Sequence, residues 1–179
     1  MQICVFAGSS PGTNPAFLEA ASALGKAIAE RGFGIVYGGA SIGLMGALAN
    51  AALDAQGHVT GIIPEFLANR EIVHPDLSQL HITPSMHARK QMMADMADGF
   101  IVLPGGFGTF DEMFEILTWA QLDLHRNPIA LLNVENYFTP LESFLDNVKA
   151  QGFIKAQGRK LLKSYTDIDS LLDAIGSPD

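Results

Sequence analysis

The chain has 179 residues, 48% of them hydrophobic, and a mean hydropathy of +0.21, enough to bury one proper core and to exclude wholesale disorder. A formal net charge of −8 argues against nucleic acid or a membrane surface as partner, and leaves a phosphate-bearing small molecule to be held by local amides and a few placed cations. The single cysteine, Cys4, permits no internal disulfide, fits a reducing cytoplasm, and reads as a small buried hydrophobe.

Met1 to Phe6 lacks the basic stretch of a signal peptide, and Ile3 to Ala7 reads as a short apolar strand ended by Gly8-Ser9-Ser10-Pro11-Gly12. Asn14 caps a helix with Pro15 at its first position; Phe17, Ala20, Ala21, Leu24 and Ile28 keep helical spacing until Gly32. Phe33 to Tyr37 is a second strand, followed by a Gly38–Gly43 loop and an Ala-rich helix from Leu44 to Gln56. The uncharged run from Gly32 to Leu53 is long enough for a bilayer, but its glycines and the break at Gly38-Gly39 make it a strand–loop–helix unit. His58 to Ile63 is a third strand. Pro64 to Gln79 breaks the pattern into a long connection carrying Arg70-Glu71 and His74-Pro75-Asp76.

Leu80 to Ile82 is a short strand, Ser85 to Ala97 a helix, and Gly99 to Leu103 a buried strand. A Gly-rich turn then leads into a helix reaching about Leu124. Ile129 to Asn133 is a strand, Tyr137 to Gln151 a helix, and a short strand near Leu162 precedes a last helix from Asp167 to Ile175. Strands alternating with helices predict a single α/β domain over 1–179, a doubly wound parallel sheet with helices on both faces. Ligands of such sheets bind beyond the carboxyl ends of the strands, where the Gly-rich turns gather.

The turn Leu103-Pro104-Gly105-Gly106-Phe107-Gly108-Thr109 is the centre of interest. Its three glycines admit a ligand close to backbone amides, and the following helix start adds unpaired N–H groups and a positive dipole end suited to phosphate. Thr109-x-x-Glu112 also fits a capping box, which by itself would explain Glu112. Asp111, Glu112 and Glu115 crowd this helix start, and the dipole alone could account for them. The first loop lacks Gly-x-Gly-x-x-Gly, and Ser41-x-Gly43-x-x-Gly46 with Glu65 beyond it is a poor nicotinamide fingerprint. No Gly-Lys-Ser/Thr follows the Gly105 turn, and the five histidines show no metal-ligand spacing, so neither cofactor nor metal is expected.

Arg89 has Ser85, Met86, Met92, Met93 and Met96 as its helical neighbours, which places it on the stripe that should face inward. Two readings stand: a guanidinium aimed at a phosphate or leaving group, or an edge arginine whose stem packs while its head reaches water. Lys90 would add a second positive charge.

Pro104-Gly105-Gly106-Phe107-Gly108-Thr109-Phe110-Asp111-Glu112 resembles the Pro-Gly-Gly-x-Gly-Thr-x-x-Glu motif of the Lonely Guy (LOG) family, cytokinin riboside 5′-monophosphate phosphoribohydrolases that often carry an older label of lysine decarboxylase. Met86-His87-Ala88-Arg89-Lys90 is similar to that family's Met-His-x-Arg-Lys segment at a similar separation. Gly38-Gly39, Gly43-Leu44-Met45-Gly46, Arg70-Glu71-Ile72 and Thr118-Trp119-Ala120-Gln121-Leu122 extend the match from Phe6 to about Tyr137. The resemblance implies cleavage of the N-glycosidic bond of an adenine nucleoside 5′-monophosphate, with or without an N6 substituent, to free base and ribose 5-phosphate. It implies Arg89 and Glu112 as catalytic residues, and Glu71, Arg89, Lys90, Gly105, Gly106, Phe107, Gly108, Thr109, Phe110, Asp111 and Thr118 as substrate contacts, in a cytoplasmic homodimer or larger homo-oligomer. No lysine site for a decarboxylase is readable. The alternative is a binding protein, a nucleotide or molybdenum-cofactor carrier that holds its ligand without turnover.

Overall fold

The computed structural model describes residues 1–68 and 73–177. Seven strands form one wholly parallel sheet: β1 (Gln2–Phe6), β2 (Gly34–Tyr37), β3 (Val59–Pro64), β4 (Gln79–Thr83), β5 (Gly99–Val102), β6 (Ile129–Leu132) and β7 (Leu162–Tyr165), in the order β4-β3-β2-β1-β5-β6-β7. The central register sets Ile3 against both Ile35 of β2 and Gly99 of β5.

Alternation along these strands decides what each face buries. Ile3, Val5, Ile35, Tyr37 and Ile101 point to one side, under helices α1 (Ala16–Glu30), α2 (Gly43–Asp54) and α8 (Ile168–Gly176). Cys4, Phe6, Val36, Phe100 and Val102 point to the other, under α4 (Met86–Asp95), α5 (Phe107–Gln121) and α6 (Thr139–Ala150), with Met93, Met113 and Ile116 packed against them. Two short helices, α3 (Glu65–Ala68) and α7 (Ala156–Arg159), lie in connections that the sequence pattern leaves irregular.

Local chemistry explains most element ends. Asn14 Oδ1 accepts from the Ala16 N–H, so its capping is real, although Pro15 rather than Asn14 stands at the cap position of α1. Ser85 caps α4 by accepting from the Ala88 N–H at 3.1 Å, and Asp167 caps α8 from Ser170. The helix expected from Tyr137 starts later: a 3-10 turn at Val134–Asn136 with left-handed Glu135 (φ 51°) and Asn136 (φ 59°) comes first, and Pro140 lies in the first turn of α6. Among the described residues, no helix is long and apolar enough to cross a membrane.

The order of strands places the site. The chain steps outward from β1 to β4, returns to β5 beside β1, and then steps outward the other way. The loops leaving β1 and β5 therefore diverge over the sheet and leave a crevice between them.

Candidate active site

The two crevice loops are pinned together before they part. The Gly8 N–H donates to the Pro104 carbonyl at 3.0 Å, and the Leu44 N–H at the start of α2 donates to the Gly8 carbonyl at 3.0 Å. A Cβ on Gly105 would strike the Thr109 hydroxyl and stand 2.9 Å from the Gly8 nitrogen, so the close approach requires glycine there. Tyr137 donates its hydroxyl to the Gly105 carbonyl and packs edge-on against Phe17, with ring centroids 5.6 Å apart. Between the loops lies a cavity of about 250 Å³ walled by residues 8–12, Phe17, Leu44, residues 104–106 and Tyr137.

Helix α5 begins at Phe107, with Gly106 at its cap position and no side chain closing the end. The N–H groups of Phe107, Gly108 and Thr109 consequently have no acceptor within the helix. Space around Gly106 and Gly108 is open to 4 Å from where a Cβ would be, and the Phe107 side chain is 95% exposed. Backbone donors, a dipole end and free volume coincide, which is what an anion needs.

This start corrects the capping-box reading. Thr109 is the third residue inside α5, and Glu112 is the sixth, too far along for its carboxylate to reach a cap amide. Nor does the dipole explain the carboxylates, because the first turn holds no acidic residue and the effect fades within that turn. Glu112 instead points into the protein at 8% exposure and meets Arg89, whose Nη2 lies 3.5 Å from Glu112 Oε1.

Arg89 is itself buried, also at 8% exposure, which excludes the reading in which its head reaches water. Its Nη1 lies 3.8 Å from the Met86 sulfur, and its Nε is buried without a hydrogen-bond partner among the described residues. The pair sits over Cys4 of β1, whose thiol is pushed up by burial and by the Glu112 charge and pulled down by Arg89. Burial is also the main force on Glu112, raising its carboxyl to about 7. Asp111 and Glu115 push the same way, while Arg89 and Lys90 oppose them.

Lys90 reaches two carboxylates at once, Asp111 Oδ2 and Glu115 Oε1, each at 3.1 Å. Burial works against its charge, but the hydrogen bonds and charges of those two partners outweigh it and hold the ammonium above its usual value. The lysine thus ties α4 to α5.

The other expected contacts divide. Gly105, Gly106, Phe107, Gly108, Thr109, Phe110 and Asp111 form the turn and first helical residues above the Arg89–Glu112 pair, with Phe110 resting edge-on against Phe138. Thr118 is six residues beyond Glu112, exposed, and donates to the Phe114 carbonyl at 2.7 Å; it lines a separate groove with Leu117, Leu145 and Ile154. Glu71 and its neighbours Arg70 and Ile72 lie outside the described residues. The structure adds Tyr137, and gives a place in the site to Gly38, Met45 and Cys4, which the sequence offers only as motif glycines and methionine and as a buried thiol. That Gly38 and Cys4 stand beside Arg89 and Glu112 follows only from the pairing of β2 with β1.

A sequence family described as "Possible lysine decarboxylase" matches residues 45–175. A Rhodococcoides fascians protein named cytokinin riboside 5′-monophosphate phosphoribohydrolase is 46% identical over 177 residues, covering 98% of this chain and 89% of that protein. A protein with the same enzyme name from Arabidopsis thaliana is 44% identical over 171 residues, covering 96% and 79%. Among solved structures, the molybdenum cofactor binding protein of Rippkaea orientalis superposes with a TM-score of 0.74 over 98% of this chain and 94% of that one, at 22% identity, a likeness of fold.

Proposed function

We propose, because this chain belongs to the Lonely Guy (LOG) family of cytokinin riboside 5′-monophosphate phosphoribohydrolases, that it hydrolyses the N-glycosidic bond of adenosine 5′-monophosphates, with or without an N6 substituent, and that Arg89 and Glu112 carry the reaction. The observation that supports this assignment of roles is the buried Arg89–Glu112 pair beneath the open start of α5.

The 5′-phosphate sits on the amides of Phe107, Gly108 and Thr109. Glu112 lies five residues on from Phe107, roughly 7.5 Å down the helix axis. That is a reach suited to a ribose 5-phosphate running from its phosphorus to its anomeric carbon. As the C1′–N9 bond breaks, its electron pair leaves with the base and the sugar becomes oxocarbenium-like. The Glu112 carboxylate stabilises that cation and takes a proton from the water that adds to C1′; the departing base takes up one proton in exchange, so free base and ribose 5-phosphate result and the carboxylate is restored. Arg89 lies beside Glu112 rather than at the helix start, so its charge serves the departing base while the amides serve the phosphate.

A decarboxylase using a Schiff-base lysine needs that amine easily deprotonated. Lys90, the lysine at this site, is held in the opposite direction. The protein is further read as a cytoplasmic homodimer or larger homo-oligomer in which Thr118 and Glu71 complete the substrate contacts. Arg89→Ala and Glu112→Gln should each lower kcat/KM for AMP by roughly 100- to 10,000-fold while the protein stays folded. Near-native turnover by either variant would remove that residue from the chemistry.

A further inference from the structure

We infer that Gly38, at the carboxyl end of β2, is a positioning residue whose missing side chain forms the slot that seats the Arg89 guanidinium against Glu112. This rests on the hydrolase reading for its effect on turnover, but the seat is a feature of the structure itself.

Gly38 is buried, and a Cβ placed on it would overlap Arg89 Nη2, lie 3.0 Å from the Met45 sulfur and 3.5 Å from Arg89 Cζ. Its backbone does not ask for glycine, since its φ is not positive, unlike that of Gly39 at +81°. Nor does any backbone atom stand among the nearest three that the Cβ would meet. The occupants of the space are the ends of two flexible side chains. Glycine at 38 therefore answers to the guanidinium.

The guanidinium needs such a seat because hydrogen bonds do little to hold it. Among the described residues it has one carboxylate at 3.5 Å, a thioether sulfur at 3.8 Å and an unpartnered buried Nε. Shape supplied by Gly38, Met45 and Met86 replaces the acceptors that usually surround a guanidinium, and leaves the charge desolvated beside the carboxylate it must influence. Among the described residues, the charged and titratable groups facing Glu112 are Cys4 from β1, Arg89 and Lys90 from α4, and Asp111 and Glu115 from its own helix.

The test is Gly38→Ala, alone and combined with Arg89→Lys, which lacks the Nη2 atom. The expected single variant melts close to the native protein, loses at least tenfold in kcat for AMP, and shows the Glu112 carboxyl titrating at higher pH by carbon NMR, because the Arg89 charge has moved away. In the Arg89→Lys background, adding Gly38→Ala should cost nothing further. An unmoved Glu112 titration, or an equal loss in both backgrounds, or unfolding of the double variant, overturns the role of Gly38. A shifted titration in a protein that releases no base even when native keeps the seat and overturns the hydrolase reading instead.

Discussion

Glu112 changed identity between sequence and structure. As Thr109-x-x-Glu112 it looks like a helix cap, and only the observed start of α5 at Phe107, with Gly106 leaving no side-chain signal at the cap, moves it inward. Its burial has a consequence that can be read against pH. The folded carboxyl titrates at about 7, above its ordinary 4.5, so the folded state holds the proton more tightly than the unfolded chain. That contribution to stability is complete below about 4.5 and is lost as pH rises through about 7, amounting to about 3 kcal/mol. Glu112→Gln, which keeps the shape of the neutral acid, should melt higher than the native protein above pH 8 and converge with it near pH 4. If the two melting curves stay parallel across that range, the carboxyl is not buried as described. For activity the sign reverses: kcat/KM should climb with pH along a limb near 7, since the carboxylate form does the work.

Helices α4 and α5 act as a unit, and the glycines at their junction do different jobs that spacing alone does not reveal. Gly105→Ala would drive a Cβ into Thr109 and Gly8, so it should lower the melting temperature clearly. Gly108→Ala meets open space and favours a helix by about 1 kcal/mol. Its melting temperature should therefore hold or rise, while KM for AMP increases because the methyl intrudes where phosphate is to bind. Equal KM values for Gly108→Ala and the native enzyme would put the phosphate elsewhere. Lys90 joins the two helices by bridging Asp111 and Glu115. Lys90→Met removes a charge that pulls the Glu112 carboxyl down and releases two that push it up. The acid limb of kcat/KM should then move to higher pH, and a limb that stays put or falls would show that these charges do not reach Glu112.

At the scale of the whole molecule, the alternating strands and helices made the parallel sheet legible from sequence, and apolar runs such as Gly99 to Leu103 marked buried strands within it. The order β4-β3-β2-β1-β5-β6-β7 was not legible, because parallel neighbours are chosen by tertiary packing rather than by local pattern. That order brings Cys4, Gly38, Arg89 and Glu112, scattered along the chain, to one place, and that convergence had no sequence signal. Helical periodicity left Arg89 undecided between core and rim because a long side chain satisfies either. Burial over the sheet decides it. The measurement that most directly tests the central claim is incubation of the native protein with AMP and with N6-isopentenyl-AMP, followed by chromatography for free base and ribose 5-phosphate. The expected result is equimolar release of both products, abolished in Arg89→Ala. Tight nucleotide binding with no base released from any purine monophosphate would contradict it and leave a carrier.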